Sequence, residues 1–210
     1  MQRYEFLERN LIQIYGGFPT DDSEISFDLL NSWLSDAIAT AAKTCYKEAI
    51  QIDGIGYVNN SFYTTFSGLA ITTDDTDNLC YKLTLPEIPV GIGRNEGLSA
   101  LRFKDSNGFV SFTGIPLSMG QQSYADNMRP IPNKILYWSE GNTIRMKTAI
   151  QLFNYSGVVK MVSGGDATDL NSQLNVPPDY FPVMVEYLKQ QMMAQRVIKQ
   201  DTANDGTDMQ

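Results

Sequence analysis

The chain has 210 residues, with 24 acidic and 16 basic side chains, no histidine and a formal net charge of -8. Without an imidazole the commonest general base and metal ligand are gone, and with them every Ser-His-Asp or Cys-His mechanism inside one chain. Cys45 and Cys80 cannot complete a four-ligand zinc site, an acidic chain is poorly suited to gripping phosphates, and 42% hydrophobic residues suffice for a core. The composition points to a soluble globular protein that is not an enzyme and needs no cofactor or metal.

The opening residues, Met1 to Phe6, carry charge and no apolar segment, so no signal peptide is expected. The longest uncharged runs, 54–73 and 106–125, are too polar to span a bilayer, so no membrane anchor is expected either. Two N-x-S sequons, at Asn59 and Asn154, carry no weight without a route to a glycosylating compartment. In a reducing cytoplasm Cys45 and Cys80 read as ordinary buried thiols.

Tyr4, Leu7, Leu11 and Ile14 recur at three and four residues, one face of a short helix over 2–14. Gly16, Gly17 and Pro19 end it. Ser26 is a candidate N-cap with Asp28 in the first turn, and Leu30, Leu34, Ile38, Ala41, Cys45 and Ala49 then form one stripe of a long helix reaching Gln51. Clustered alanines at 37, 39, 41 and 42 permit close approach by another element.

After Gly54 and Gly56 the texture changes. Residues 61–72 are rich in Phe, Tyr and Thr, and Leu79, Tyr81, Leu83 and Leu85 alternate with Cys80, Lys82 and Thr84. Further strands are expected over 98–104, 109–114, 134–139, 142–148 and 157–163, with hairpins at Ser106-Asn107-Gly108 and at Glu140-Gly141. This spacing predicts an antiparallel β-sandwich or barrel. Two long loops, 86–97 and 115–133, interrupt it, and loops of that length are usually functional or ordered by a partner. Pro177 and Pro178 lead into a last helix, with Asp179 as candidate N-cap, Pro182 in the first turn, and Val183, Val185, Leu188, Met192, Met193 and Val197 following. Residues 201–210 are polar and aperiodic and are expected to be disordered.

The fold class is therefore α+β, with N-terminal helices, a central antiparallel sandwich or barrel with two long loops, a C-terminal helix and a disordered tail. The expected division is a helical segment 1–53, a β-rich domain 54–175, a helix 176–200 and a tail 201–210. The first segment holds nine acids and four bases and the second ten and nine, so the negative charge concentrates at the start.

Several motifs reduce to plain structure. The glycines at 91, 93 and 97 are mis-spaced for a dinucleotide loop and precede a strand where a helix N-terminus is needed, so they read as a connecting loop. Asp74, Asp75 and Asp77 begin an apparent calcium loop, but its sixth and twelfth positions are Leu79 and Leu85, so a solvated turn is expected. Glu87, Glu96 and Glu140 lie near loops and are formally available for carboxylate chemistry. Met192 and Met193 read equally as core or as an adaptable partner stripe.

The stretches Asp22 to Leu30, Leu83 to Gly93, Leu98 to Phe103, Pro132 to Tyr137 and Val176 to Pro182 resemble, in this order, the head-to-tail connector proteins of tailed phages. The likeness is to the ring-forming adaptors, or tail tubular proteins, above all the ring proteins of crAss-like phages. It is diffuse, covers most of the chain and brings no catalytic residues. It implies a virion structural protein in the neck, assembled in the host cytoplasm. About twelve copies would form a ring with portal and other tail proteins as neighbours, and double-stranded DNA would pass through without specific binding. Candidate subunit or portal contacts are Met119, Tyr124, Met128 and Arg129 in the second loop and Met192, Met193 and Arg196 on the last helix. The alternative is a β-sandwich module recognising a glycan or receptor through exposed tyrosines or Trp138.

Overall fold

The computed structural model describes residues 1–15, 26–74, 77–93, 97–122, 124–163 and 169–203. The chain divides into two compact units, Met1–Phe62 together with Gly164–Gln210, and Tyr63–Ser163.

The first unit is helical. Helix α1 (Arg3–Tyr15) buries Arg3, Phe6, Leu7, Asn10 and Leu11, while Tyr4 stays exposed. The buried face is thus rotated from the Tyr4–Ile14 stripe expected, and the Ile14 side chain lies outside the described residues. The rotation buries two polar groups that find partners: Arg3 Nε donates to Asn31 Oδ1 at 2.7 Å, and Asn10 Nδ2 donates to the Phe6 carbonyl at 2.7 Å.

Helix α2 (Phe27–Asp53) begins where Ser26, in extended conformation, accepts the Leu29 amide on its Oγ at 3.2 Å. It ends at Gly54, whose φ of +70° glycine adopts at least cost. Its buried stripe is the expected one, Leu30, Leu34, Ile38, Ala41, Cys45 and Ala49, with Ala37 and Ala42 added. Those small residues let the last helix, which packs along it, approach closely. A 3-10 turn at Pro178–Tyr180 precedes that helix, so Asp179 lies within the turn and is not an α-helical N-cap. The Tyr180 hydroxyl donates to Glu48 at 2.7 Å and its ring meets Phe62, tying the turn to α2 and to the segment after it.

The first residues also meet the stretch 170–174. The Arg3 and Tyr4 amides donate to the Ser172 and Leu170 carbonyls, and the Leu174 amide to the Met1 carbonyl. Both terminal stretches therefore form one unit, and residues 54–62 and 164–175 belong with them rather than with the strands.

The second unit is a pair of facing sheets. Strands β1 (Tyr63–Leu69), β2 (Ile71–Asp74), β3 (Asp77–Thr84), β4 (Leu98–Lys104), β5 (Val110–Thr113), β6 (Ile115–Pro116), β7 (Leu136–Glu140), β8 (Thr143–Lys147) and β9 (Ser156–Val162) form sheets of order β1-β9-β4-β5 and β2-β3-β8-β7-β6. Every pairing is antiparallel except β6 with β7. Leu83, Ile144, Met146 and Tyr137 from one sheet meet Leu101, Phe103, Val159 and Met161 from the other in a single core. The stretch 61–72 resolves into two strands because the chain changes sheet at Ala70, and it changes again at Gly114. A methyl on Gly114 would press on the side chains of Tyr137 and Leu101, which is why this corner takes a glycine.

The β7–β8 hairpin turns on Gly141 (φ +61°) and Asn142. In the β4–β5 turn the Asp105 carboxylate accepts the amides of Asn107 and Phe109 at 2.9 and 3.0 Å.

The last helix is named here α4 (Phe181–Ala203), after a short helix α3 (Met119–Gln122) within the second long loop. Its backbone runs past Lys199 into the stretch expected to be a tail; residues 204–210 lie outside the described residues. Its buried stripe is Met184, Leu188 and Met192, four residues apart, with Val183 and Val185 half-buried.

Candidate binding cleft and exposed surfaces

The two long loops converge. Together with β7 they enclose a cleft of about 820 Å³ lined by Pro89 to Gly93, Gly97, Leu98, Pro116, Ser118, Gln121, Gln122 and Tyr137 to Ser139. On one wall, Gly97 lies against the Val90 carbonyl so closely that any side chain would drive into it. This close approach, not a phosphate, explains that glycine; strand β4 begins at the next residue.

The opposite wall is the second loop, which is only partly irregular. It supplies β6, α3 and a 3-10 turn at Ala125–Asn127. Leu117, Ala125 and the half-buried Met128 cover Leu136 and Trp138 on the outward face of β7. Trp138 is therefore 4% exposed, and its indole N–H donates to Glu140 at 2.8 Å. This corrects the expectation that Trp138 could present an exposed platform.

Among the described residues the cleft's polar side chains are neutral. Ser118 donates to Gln121 Oε1 from both its amide and its hydroxyl at 3.1 Å, and Gln122 Nε2 donates to the Leu117 carbonyl. Tyr137 is buried, and desolvation pushes its phenol up to about 12. This lining is suited to holding neutral hydrogen-bonding groups; among the described residues none of its side chains titrates near neutral pH.

The carboxylates considered for chemistry are engaged elsewhere. Glu87 accepts the Ser163 hydroxyl at 3.1 Å, and Glu140 accepts Trp138 and pairs with Arg145 at 3.1 Å. Glu96 lies outside the described residues. Asp74 is 7% exposed and pairs with Arg145 at 3.7 Å, so it is not part of a solvated turn as expected. Asp75 and the Asp77 side chain lie outside the described residues. Among the described residues no group of three His, Cys, Asp or Glu could hold a metal. Cys45 and Cys80 are buried thiols.

Of the candidate contact residues, Tyr124 is 68% and Met193 65% exposed, and Arg129 is exposed. Met192 is 2% exposed and Met128 packs on Trp138, so both serve the core. The side chains of Met119 and Arg196 lie outside the described residues.

Two further apolar surfaces escape the periodicity argument. Ile50, Ile52, Ile55 and Tyr57, at the end of α2, are 44%, 81%, 59% and 49% exposed. The Tyr57 hydroxyl donates to Asp53, which holds its phenol above the usual range. In the other unit, Phe109 and Val110 at the β4–β5 hairpin are 73% and 48% exposed. The signal was present: Ile50 and Ile52 fall off the Leu30–Ala49 stripe, and Phe109 follows a turn.

Among the described residues no helix is long and apolar enough to cross a membrane. No family model and no curated protein matches the chain.

Proposed function

We propose that this chain is a structural subunit that assembles with copies of itself, in the setting its resemblance implies: a ring in the portal-to-tail connector of a tailed phage. The observation that carries self-assembly is the pair of unlike apolar surfaces, Ile50, Ile52, Ile55 and Tyr57 on the helical unit and Phe109 with Val110 on the β unit. Large apolar side chains exposed in groups mark contact sites. Two unlike patches are what a head-to-tail ring needs, because each subunit offers one patch to the copy before it and the other to the copy after it.

The phage setting rests on the resemblance alone. Within it, portal and tail proteins lie above and below the ring and the duplex passes through its centre. A net charge of -8 keeps such a wall from holding phosphates.

Native mass spectrometry and negative-stain microscopy, with and without the cognate portal, test this reading. Closed rings are expected, on the portal if not alone. A chain that stays monomeric beside the portal at high concentration overturns it.

A further inference from the structure

Strand β6 ends after Ile115 and Pro116, and β7 runs on without it. The Ile135 and Tyr137 carbonyls accept the Ile115 and Leu117 amides at 2.8 Å each. Backbone groups along a strand point alternately to one neighbour and the other, so Ser139 is next in the set that faces β6. The chain of β6 does not reach it: the Ser118 amide turns to Gln121 Oε1, and α3 begins at Met119. On the other side of β7, Glu140 pairs with Thr143 next to the two-residue turn, so β7 bonds to β8 through Glu140, Trp138 and Leu136. Ser139 is left with an N–H and a C=O on the open side of β7, and among the described residues neither meets a backbone partner there.

Ser139 is exposed and lines the cleft between the two loops. Beside it, Gln121 spends its side-chain oxygen on Ser118 and keeps its amide nitrogen for a ligand; Gln122 spends its nitrogen on the Leu117 carbonyl and keeps its oxygen. The half-buried Pro89, Val90 and Ile92 supply an apolar wall. Pro116 has no N–H, so the outer edge of β6 offers an added strand less than β7 does.

We infer that the cleft takes an extended peptide segment of a partner protein, laid in line with β6 and hydrogen-bonded to the Ser139 backbone. A donor and an acceptor from one residue on the same side form the pattern that another peptide backbone carries. Among the described residues no charged side chain lines the cleft, so the side chains it receives are uncharged. A sugar is the less favoured occupant: Tyr137 and Trp138, the rings of the lining, are 2% and 4% exposed, too buried to offer a stacking face. A second copy is the less favoured source. Its exposed, uncharged edge strand β5 leads through Gly114 into β6, so β5 in the cleft would pair the same corner of two copies and close a two-fold dimer, not a ring. The choice of source rests on the ring reading above; the occupancy of the cleft does not, because neither exposed apolar patch lines it.

A displayed library of random peptides about ten residues long is selected against the full chain, and the enriched peptide is titrated by calorimetry. Two variants separate backbone from side chain. Ser139→Pro removes the N–H that faces the cleft and leaves the bonds to β8, which are made at Trp138 and Glu140. Ser139→Ala keeps the N–H and removes the hydroxyl. The peptide is expected to bind Ser139→Ala with unchanged affinity and Ser139→Pro about tenfold more weakly. In the unmodified chain, amide exchange at Ser139, read by NMR, is expected to slow about tenfold once the peptide is bound, a readout that does not depend on the fold of the proline variant. No enriched peptide, equal binding by Ser139→Pro, or exchange at Ser139 unchanged by the peptide each overturns the inference and leaves self-assembly standing. A sugar retained from a glycan array and lost with Ser118→Ala overturns it in favour of a glycan. An enriched sequence that matches a stretch of this chain, and whose free peptide dissolves its assemblies, overturns the partner protein in favour of a second copy.

Discussion

Tyr137 shows how a single side chain couples position to pH. It lies on β7 between the core and the cleft, 2% exposed, with its phenol pushed up to about 12 against an ordinary 10. The folded state therefore favours the neutral form. Its contribution is complete below pH 10, the unfolded value, and is lost as the pH rises through about 12. By linkage the loss amounts to about 2–3 kcal/mol. Denaturant melts between pH 9 and 12 are expected to show this fall, and Tyr137→Phe to flatten it; a variant with the parent's alkaline profile would refute the assignment. Other residues carry equally local reasons. Ser26 caps α2 as its sequence position implied, whereas Asp179 does not cap α4 because a 3-10 turn takes its place.

At the scale of elements, the two loops differ in kind. The second is built of short regular pieces laid over β7, which is why Trp138 is buried. The first, in its described residues, is held by the close contact between Val90 and Gly97. The neighbour there is backbone, which cannot rotate away. Gly97→Ala is therefore expected to cost about 1–3 kcal/mol and to loosen the cleft wall. Thermal denaturation reads the cost, and faster amide exchange over 88–93 reads the loosening. An unchanged melting temperature would show that the loop shifts freely. Helix α2 was the most legible element, since apolar residues at spacings of three and four with small ones interspersed leave little choice of face. Helix α1 was the least, because its stripe includes Arg3 and Asn10, whose burial depends on partners the spacing of residues does not reveal.

At the scale of the whole molecule, the exposed apolar groups bear on assembly. Ile52→Asp with Ile55→Asp on the helical unit, and Phe109→Asp on the β unit, replace exposed side chains and should leave the far-UV spectrum unchanged. Each is expected to block ring formation. If the two patches are the two halves of one contact, a mixture of the variants caps chains as dimers instead of closing rings. Rings that form normally from both variants, seen by native mass spectrometry, would remove these patches from the interface.

The sequence by itself determined the class, most strand positions, the long helix with both its ends, and the absence of histidine chemistry. Each depends on local pattern: period two in strands, three to four in helices, serine before a helix and glycine after it. It did not determine that residues 61–72 serve two sheets, that the first residues bond to the stretch 170–174, that the two loops enclose a common cleft, or that Trp138 and Met192 are buried. Those outcomes arise from contacts between segments far apart along the chain, such as Leu117 on Trp138 or Leu170 on Tyr4. Nor did residue counts show that Arg102, Lys104 and Lys160 all lie on the side of their strands turned away from the sandwich core. Segment charge is a sum, whereas the field at a surface depends on which side of each strand a residue occupies, and strand register and packing decide that.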